Sequence, residues 1–241
     1  MSHLVVVTGA SAGLGAALLT TAPLEAYRVD VSRSGHAPAG GAHLALDLAD
    51  PAAWPAFGTA MADLVRGRDW DRITVVQSAG TLTPIGFAGE VDTDAYTRNV
   101  LLNSAAPQVL GHLALAAMAA SAARRELVMI SSGAATKPRA GWSSYGAAKA
   151  AADQWVRAVG AEQAERGGIR VLAVAPGVLA TAMQADIRAT DPRDFPGVEH
   201  FQRLHDEGEL WEPADAARRL WRLLDDPGVE TGTATDLRGR A

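Results

Sequence analysis

Six short apolar runs, spaced between polar turns and Ala-rich stretches, limit what this chain can fold into. HLVVVTGA (3–10), YRVDVSRS (27–34), part of AHLALDLAD (42–50), DRITVVQSAG (71–80), RELVMISSGA (125–134) and GIRVLAVAPGV (168–178) read as strands, and TGTATDLRG (231–239) adds a last one. In most of them Val, Ile and Leu follow one another without polar alternation, the mark of strands covered on both faces in a parallel sheet. Helical patterns lie between them at about 92–120, 143–166 and 213–225. This β–α alternation predicts an α/β fold: a doubly wound parallel sheet of Rossmann type, with its site at the carboxyl ends of the strands. No linker, repeat or low-complexity tract interrupts the 241 residues, so one domain over 1–241 is expected.

Composition narrows what such a sheet can serve. A net charge of −5 argues against nucleic acid or an anionic membrane surface as partner. The absence of Cys excludes disulfides, thiolate catalysis and zinc–thiolate sites, and fits a cytoplasmic location. Leu4 to Leu24 carries no charge, yet Gly9, Gly13 and Gly15 interrupt it and no Lys or Arg precedes it. It reads as a buried strand, a turn and a helix start, not as a membrane or targeting segment.

That turn, in VVVTGASAGLG, is the expected phosphate end of a dinucleotide site. Backbone amides there, backed by a helix N-terminus, suit a pyrophosphate, and glycine serves where φ is positive or the ligand nears the backbone. The spacing G-x-x-x-G-x-G differs from the G-x-G-x-x-G fingerprint, so its weight comes from its place at the first βα junction. At the end of the second strand, a carboxylate would suit the ribose of NAD and a guanidinium the 2′-phosphate of NADP. The strand runs into Ser32 and Arg33, while Asp30 lies earlier within it. The expectation is NADP(H), with NAD(H) the alternative.

The reaction end is read from SSYGAAKA (143–150). Of 22 basic residues only Lys137 and Lys149 are lysines, and Lys149 stands four residues after Tyr145, one of three tyrosines. On a helix those two are neighbours. A free Tyr has a pKa near 10, too high for efficient acid–base work at neutral pH, and a nearby ammonium favours the phenolate. Ser132 closes the fifth strand, and the loop after it can return its hydroxyl to the phenol.

Taken together, these motifs resemble the short-chain dehydrogenase/reductase family over nearly the whole chain. Its T-G-x-x-x-G-x-G reads as Thr8, Gly9, Gly13 and Gly15, its Y-x-x-x-K as Tyr145 and Lys149, and its active-site Ser as Ser132. Its helix Asn matches Asn103 in VLLNSAAP, with Asn99 one turn earlier as second choice. Pro176-Gly177, then Val178 and Thr181, match its nicotinamide loop, and Asp47-Leu48 its adenine pair. Its N-N-A-G appears as Gln77, Ser78, Ala79 and Gly80, a departure that puts the first Asn's bracing role in question. The stretch 80–100 is similar to the sepiapterin and benzil reductase branch.

The resemblance implies a nicotinamide-dependent oxidoreductase acting on a small ketone, aldehyde or secondary alcohol. Its cofactor would meet Gly9, Ser11, Gly13, Leu14, Gly15, Ser32, Arg33, Asp47, Leu48, Ser78, Ala79, Gly80, Tyr145, Lys149, Pro176, Gly177, Val178 and Thr181. Tyr145 would donate the proton, Lys149 lower its pKa and hold the ribose, Ser132 hold the carbonyl oxygen, and Asn103 order a relay water. A homodimer or homotetramer built on the Ala-rich helices is also implied. The alternative is a catalytically silent dinucleotide-binding sensor or scaffold, which has no need of the acid–base set.

Residues 180–211, with Pro192 and Pro196, are expected to form a mobile substrate lid with short helices. Leu82, Trp142, Met183 and Phe201 are the expected pocket residues, with Ile85, Phe87 and Trp211 as further candidates. His200 and His205 stand five apart without a carboxylate pattern, and no metal is expected.

Overall fold

The computed structural model describes residues 2–166 and 168–239. Seven strands form one sheet: β1 (His3–Thr8), β2 (Ala26–Ser32), β3 (Ala42–Ala45), β4 (Arg72–Gln77), β5 (Arg124–Ile130), β6 (Arg170–Ala175) and β7 (Ala234–Asp236). Their order is β3-β2-β1-β4-β5-β6-β7, and each pair is parallel. The chain winds outward both ways from β1, so the strand order reverses between β1 and β4. Ligands of such sheets sit in the crevice outside that point.

Period-two side chains split the strands between two cores. Leu4, Val6, Ile73, Val75, Leu127 and Met129 face one side, against α2 (Trp54–Arg66), α4 (Ala106–Met118) and α5 (Ser143–Arg166). Val5, Val7, Val76, Val128, Leu172 and Val174 face the other, against α1 (Gly13–Thr20) and α8 (Pro213–Asp225). Every residue of β1 is buried, as a continuous apolar run requires.

Helix α2 is absent from the three helical patterns read in the sequence. Pro55 and Gly58 disguise it, but Pro sits in its first turn, where no amide bond is lost. Its Phe57 and Met61, one turn apart, are buried against the sheet. The pattern at 92–120 resolves into α3 (Thr93–Val100), a π-helical turn at Leu101–Ala105 and α4, a continuous run with Asn103 buried in the wide turn. Two short helices, α6 (Ala182–Arg188) and α7 (Val198–Asp206), occupy the expected lid segment.

Near the amino ends of the strands, Glu126 of β5 is fully buried. Its Oε2 accepts from Arg72 Nε and Thr74 Oγ1, both at 2.9 Å, and its Oε1 from Arg124 Nε at 3.0 Å and an Arg170 guanidinium nitrogen at 2.6 Å. Register places Thr74 and Arg170 directly beside Glu126 on the neighbouring strands. Arg124 and Arg170 also donate to the carbonyl of Leu224, in the last turn of α8, where cations complement the helix dipole.

Candidate active site

The glycine turn after β1 is tight enough to exclude side chains. Gly9 has φ 70° and Gly13 φ 54°. A Cβ on Gly9 would lie 2.6 Å from Ala79 Cα, and one on Gly15 only 2.3 Å from the carbonyl oxygen of Gly9. Ahead of α1, Ala12 is extended and offers no side-chain cap, so the first amides of the helix have no side-chain acceptor. This cradle fits the diphosphate of a dinucleotide. Ser11 lies exposed on the turn, whereas Leu14 is buried against the sheet and offers the site only its backbone.

The walls of the crevice follow from neighbouring strand ends. Thr8 Oγ1 accepts from the amides of Ser78 and Ala79 at 3.1 and 3.2 Å, tying β1 to the end of β4. Gln77, in place of the family's Asn, is buried and donates to the Pro107 carbonyl at 3.0 Å. The bracing therefore runs from β4 to α4. Across the crevice, Gly177 (φ 90°) follows Pro176, and Thr181 caps α6 through the Gln184 amide. A Cβ on Gly13 would lie 3.4 Å from Thr181 Cγ2, so the phosphate turn and the loop after β6 face each other.

The adenosine end corrects two expectations. Ser32 is buried; its hydroxyl donates to Asp30 Oδ2 at 2.9 Å and accepts from the Gly35 amide at 3.0 Å. It braces the turn and has no hydroxyl to offer a phosphate. Asp30 is held beneath that turn at 2% exposure, leaving exposed Arg33 as the charge at the strand's end. Leu48 packs into the core and its carbonyl accepts from Trp54 Nε1, so it too presents little to a ligand. Asp47 accepts from Arg98 at 3.0 and 2.7 Å and from the Ala49 amide at 3.0 Å. Partial burial opposes its ionisation, but Arg98, the Ala49 amide and the field of Arg33 bring the carboxyl below its ordinary range.

At the reaction end, the first two turns of α5 bring Tyr145 and Lys149 behind the loop that follows β5. Tyr145 is 9% exposed, Lys149 6% and Asn103 0%. Lys149 Nζ donates to the Ile130 carbonyl at 2.8 Å and lies 5.6 Å from the centre of the Tyr145 ring. A Cβ on Gly80 would lie 2.9 Å from Asn103 Oδ1 and 3.9 Å from Lys149 Nζ, so only glycine lets these groups converge. Asn103 accepts from the Thr81 amide at 2.9 Å and donates to the Thr81 carbonyl and Asn99 Oδ1 at 2.7 and 2.9 Å. Asn99 in turn donates to the Thr83 carbonyl at 2.9 Å. The Asn103 side-chain amide fixes the 80–81 backbone beside Lys149.

Burial raises the pKa of Tyr145, and the Ser132 hydroxyl beside it pulls the other way. The Lys149 ammonium stands over the ring face and is itself pushed down to about 8 by burial, with Asp153 opposing the shift. The resting phenol is neutral and ready to donate. A protonated donor is what carbonyl reduction needs at the start.

Beside the phenol rises an aromatic wall. Trp142 meets Tyr145 edge-on at 5.7 Å, stacks on Phe195 at 4.8 Å and touches Phe201 at 5.3 Å. Leu82, Ile187 and Val198 complete this cluster, with Met183 and Ile85 packed against it. Leu82, Trp142, Met183 and Phe201, the expected pocket residues, thus share one apolar cluster beside the phenol. Phe195, Val198 and Ile187 were missed in the sequence. Two of the further candidates fall elsewhere. Phe87 is 38% exposed, and Trp211 joins the α1–α8 core, under the Arg219 guanidinium at 4.4 Å. Among the described residues no group of three or more His, Cys, Asp or Glu is placed to hold a metal ion.

This chain is similar to proteins of one family. The short chain dehydrogenase family model matches residues 3–192. The benzil reductase ((S)-benzoin forming) of Bacillus subtilis (strain 168) is 34% identical over 241 residues, covering 98% of each chain. Sepiapterin reductase of Rattus norvegicus is 32% identical over 181 residues, covering 74% of this chain and 68% of that one. Among solved structures, the KRED1-Pglu enzyme superposes with a TM-score of 0.81 at 29% identity, over 97% of this chain and 100% of that one. With the glycine cradle, the Tyr145–Lys149 pair and this match over most of its length, the chain belongs to the short chain dehydrogenase family of oxidoreductases.

Proposed function

We propose that this oxidoreductase reduces small ketones and aldehydes, aromatic 1,2-diketones among them, with NADP(H) as hydride source and Tyr145 as proton donor. The observation that carries the reading is a neutral, buried phenol beside Ser132 that adjoins the wall of Trp142, Phe195 and Phe201. Flat aromatic surfaces of that kind suit an aryl substrate through offset or edge-on ring contacts. The likeness to a benzil reductase over 98% of both chains agrees with it.

Each residue has a distinct task in this reading. A bound nicotinamide dinucleotide supplies the hydride. Gly9, Gly13 and Gly15 shape the turn that takes the diphosphate, and exposed Arg33, with no solvent-facing carboxylate beside it on β2, favours the 2′-phosphate of NADP(H). Ser132 donates a hydrogen bond to the substrate carbonyl oxygen, polarising it before transfer. Tyr145 passes its proton to that oxygen, and the Lys149 ammonium offsets the phenolate charge as it forms. Asn103 keeps the Gly80 backbone and Lys149 in register. Residues 180–211 close over the substrate, bringing Phe195 and Phe201 to Trp142. In the run Thr93–Met118, only 28% of the most apolar window is buried within the chain, which supports cover by a second copy in a homodimer or homotetramer. Absence of Cys supports a cytoplasmic setting.

Benzil and simple aldehydes, offered with NADPH and NADH in turn, test this directly. The expected result is NADPH oxidation that Tyr145→Phe lowers by roughly 10²–10⁴-fold while NADPH still binds. Unchanged turnover in Tyr145→Phe overturns the mechanism, and a preference for NADH untouched by Arg33→Ala overturns the coenzyme assignment.

A further inference from the structure

One buried carboxylate near the site has no part in the mechanism above. Asp153 stands one helical turn beyond Lys149 on α5, at 7% exposure. Its Oδ1 is buried without a hydrogen-bond partner among the described residues, and the hydroxyl of Ser131 is likewise buried and unpaired. Orphaned polar atoms of this kind are rare and call for a cause, because an unpaired buried carboxylate is destabilising. A structural carboxylate in this protein looks different: Glu126 accepts two hydrogen bonds on each oxygen.

The position of Asp153 supplies the cause. Lys149 and Asp153 are an i, i+4 pair on the buried side of one helix, where side chains are neighbours. Ser131, which faces Asp153, lies between Ile130, whose carbonyl takes the Lys149 ammonium, and Ser132, which faces the phenol. The amine, the carboxylate and the reacting hydroxyls thus share the end of β5, the two residues after it and the first turns of α5.

We propose that Asp153 is a positioning residue: its carboxylate keeps the Lys149 amine charged at working pH, so that proton donation by Tyr145 and ribose binding both retain a cation. This rests on the reading of Tyr145 and Lys149 given above. Burial alone drives Lys149 toward the neutral amine, and Asp153 is the charge that opposes it. Burial also raises the pKa of Asp153 itself, against the Ser131 hydroxyl, exposed Arg157 one turn further along α5, and Lys149. From the elements packed around the pair, Ser131 and Ser132 after β5 and Asn103 of the π turn contribute neutral groups. Tyr145 is the remaining titratable group. Arg157 acts on Asp153 at least as strongly as Lys149 does, whereas Asp153 is the charge that acts on Lys149.

The sign follows. A charged Lys149 is required, so coenzyme binding and carbonyl reduction hold at low pH and fall as pH rises through the lysine pKa. In Asp153→Asn that pKa drops further and the falling limb moves to lower pH, by about one unit for a buried neighbour of this kind. The test records NADPH affinity by fluorescence and kcat/KM for benzil, each from pH 6 to 10, for the wild type, Asp153→Asn and Asp153→Glu. A downward shift of both limbs in Asp153→Asn, reversed in Asp153→Glu, is expected. An unmoved limb in the Asp153→Asn affinity profile overturns the proposal whatever happens to the rate. If Tyr145→Phe still turns over while the affinity limb shifts, the mechanism fails and the tie between Asp153 and Lys149 stands.

Discussion

Strand β5 has a buried charge near each of its ends, and the fold treats the two in opposite ways. At the amino end, Glu126 is ringed by Arg72, Arg124, Arg170 and Thr74. At the carboxyl end, the Lys149 ammonium has the Ile130 carbonyl, while Asp153 Oδ1 and Ser131 Oγ have no hydrogen-bond partner. Neither arrangement follows from burial, since Glu126 and Lys149 are both almost solvent-free. A saturated cluster holds strands in register and gains nothing from leaving a valence open. A group that must gain or release charge during a reaction has to be left partly unsatisfied, and the surrounding packing compensates. For this strand the comparison makes a rule: the carboxylate with both oxygens paired belongs to folding, and the partly open amine–carboxylate pair to chemistry.

Replacing each charge in turn is the strongest way to break that rule. In Lys149→Met, reductase turnover is expected to fall by roughly 10²–10⁴-fold, the range for loss of an acid–base element. Its thermal midpoint should change little, because removal of a costly buried ammonium offsets the loss of its bond to the Ile130 carbonyl and of its attraction to Asp153. A large drop in stability alongside the lost rate would mean that Lys149 is structural as well. The reverse pattern is expected in Glu126→Gln. Three guanidinium groups then lose their carboxylate, and removing one partner of such a buried pair costs about 3–5 kcal/mol. Urea unfolding reads this loss, while kcat measured well below the melting temperature should stay within about twofold. A tenfold fall in kcat with the fold intact would show that the two ends of β5 communicate.

The two ends also differ in how legible they were. Continuous Val/Ile/Leu runs announce strands because both faces of this sheet are covered, so seven strands and the Tyr145–Lys149 pair could be read from spacing alone. What spacing leaves out is the surroundings of a side chain. An offset of four from Tyr145 to Lys149 places them on one helix face, but does not reveal the burial that raises the phenol pKa. Ser32 sits at the right point of β2 for a phosphate contact, and only the turn at Gly35 makes its hydroxyl face inward. Phe195 lies in a loop between Asp194 and Pro196, and it enters the aromatic wall because α6 and α7 fold back over α5. Asp153 was visible as K-x-x-x-D, a spacing that on most helices is an exposed ion pair of little worth. The Glu126 cluster was hidden differently: its partners come from three strands, and only the register brings Thr74 and Arg170 beside it.

The smallest expected effect sharpens the comparison at the amino end. His3 of β1 contacts this cluster: its Nε2 lies 2.9 Å from Thr74 Oγ1, and Thr74 donates to Glu126. Because Thr74 is the donor in that second bond, His3 is the donor in the first, as the neutral ring with its proton on Nε2. Burial first, then the charges of Arg72 and Arg124, lower its pKa to about 4, against the opposing pull of Glu126 and Asp225. An unfolded His titrates near 6.5, so above that pH both states are neutral and the His3 contribution to stability is complete. As pH falls from 6.5 toward 4, the unfolded chain takes up a proton that the folded protein refuses, and stability drops across that window. Solvent near the amino end of β1 screens part of the effect, leaving on the order of 1–2 kcal/mol. His3→Gln keeps a donor toward Thr74 and removes the titration, so its urea midpoint should change less between pH 7 and 4.5 than that of the wild type. Equal slopes for the two proteins would mean that the cluster tolerates a charged His3, and that its network is less closed than four bonds to one carboxylate imply.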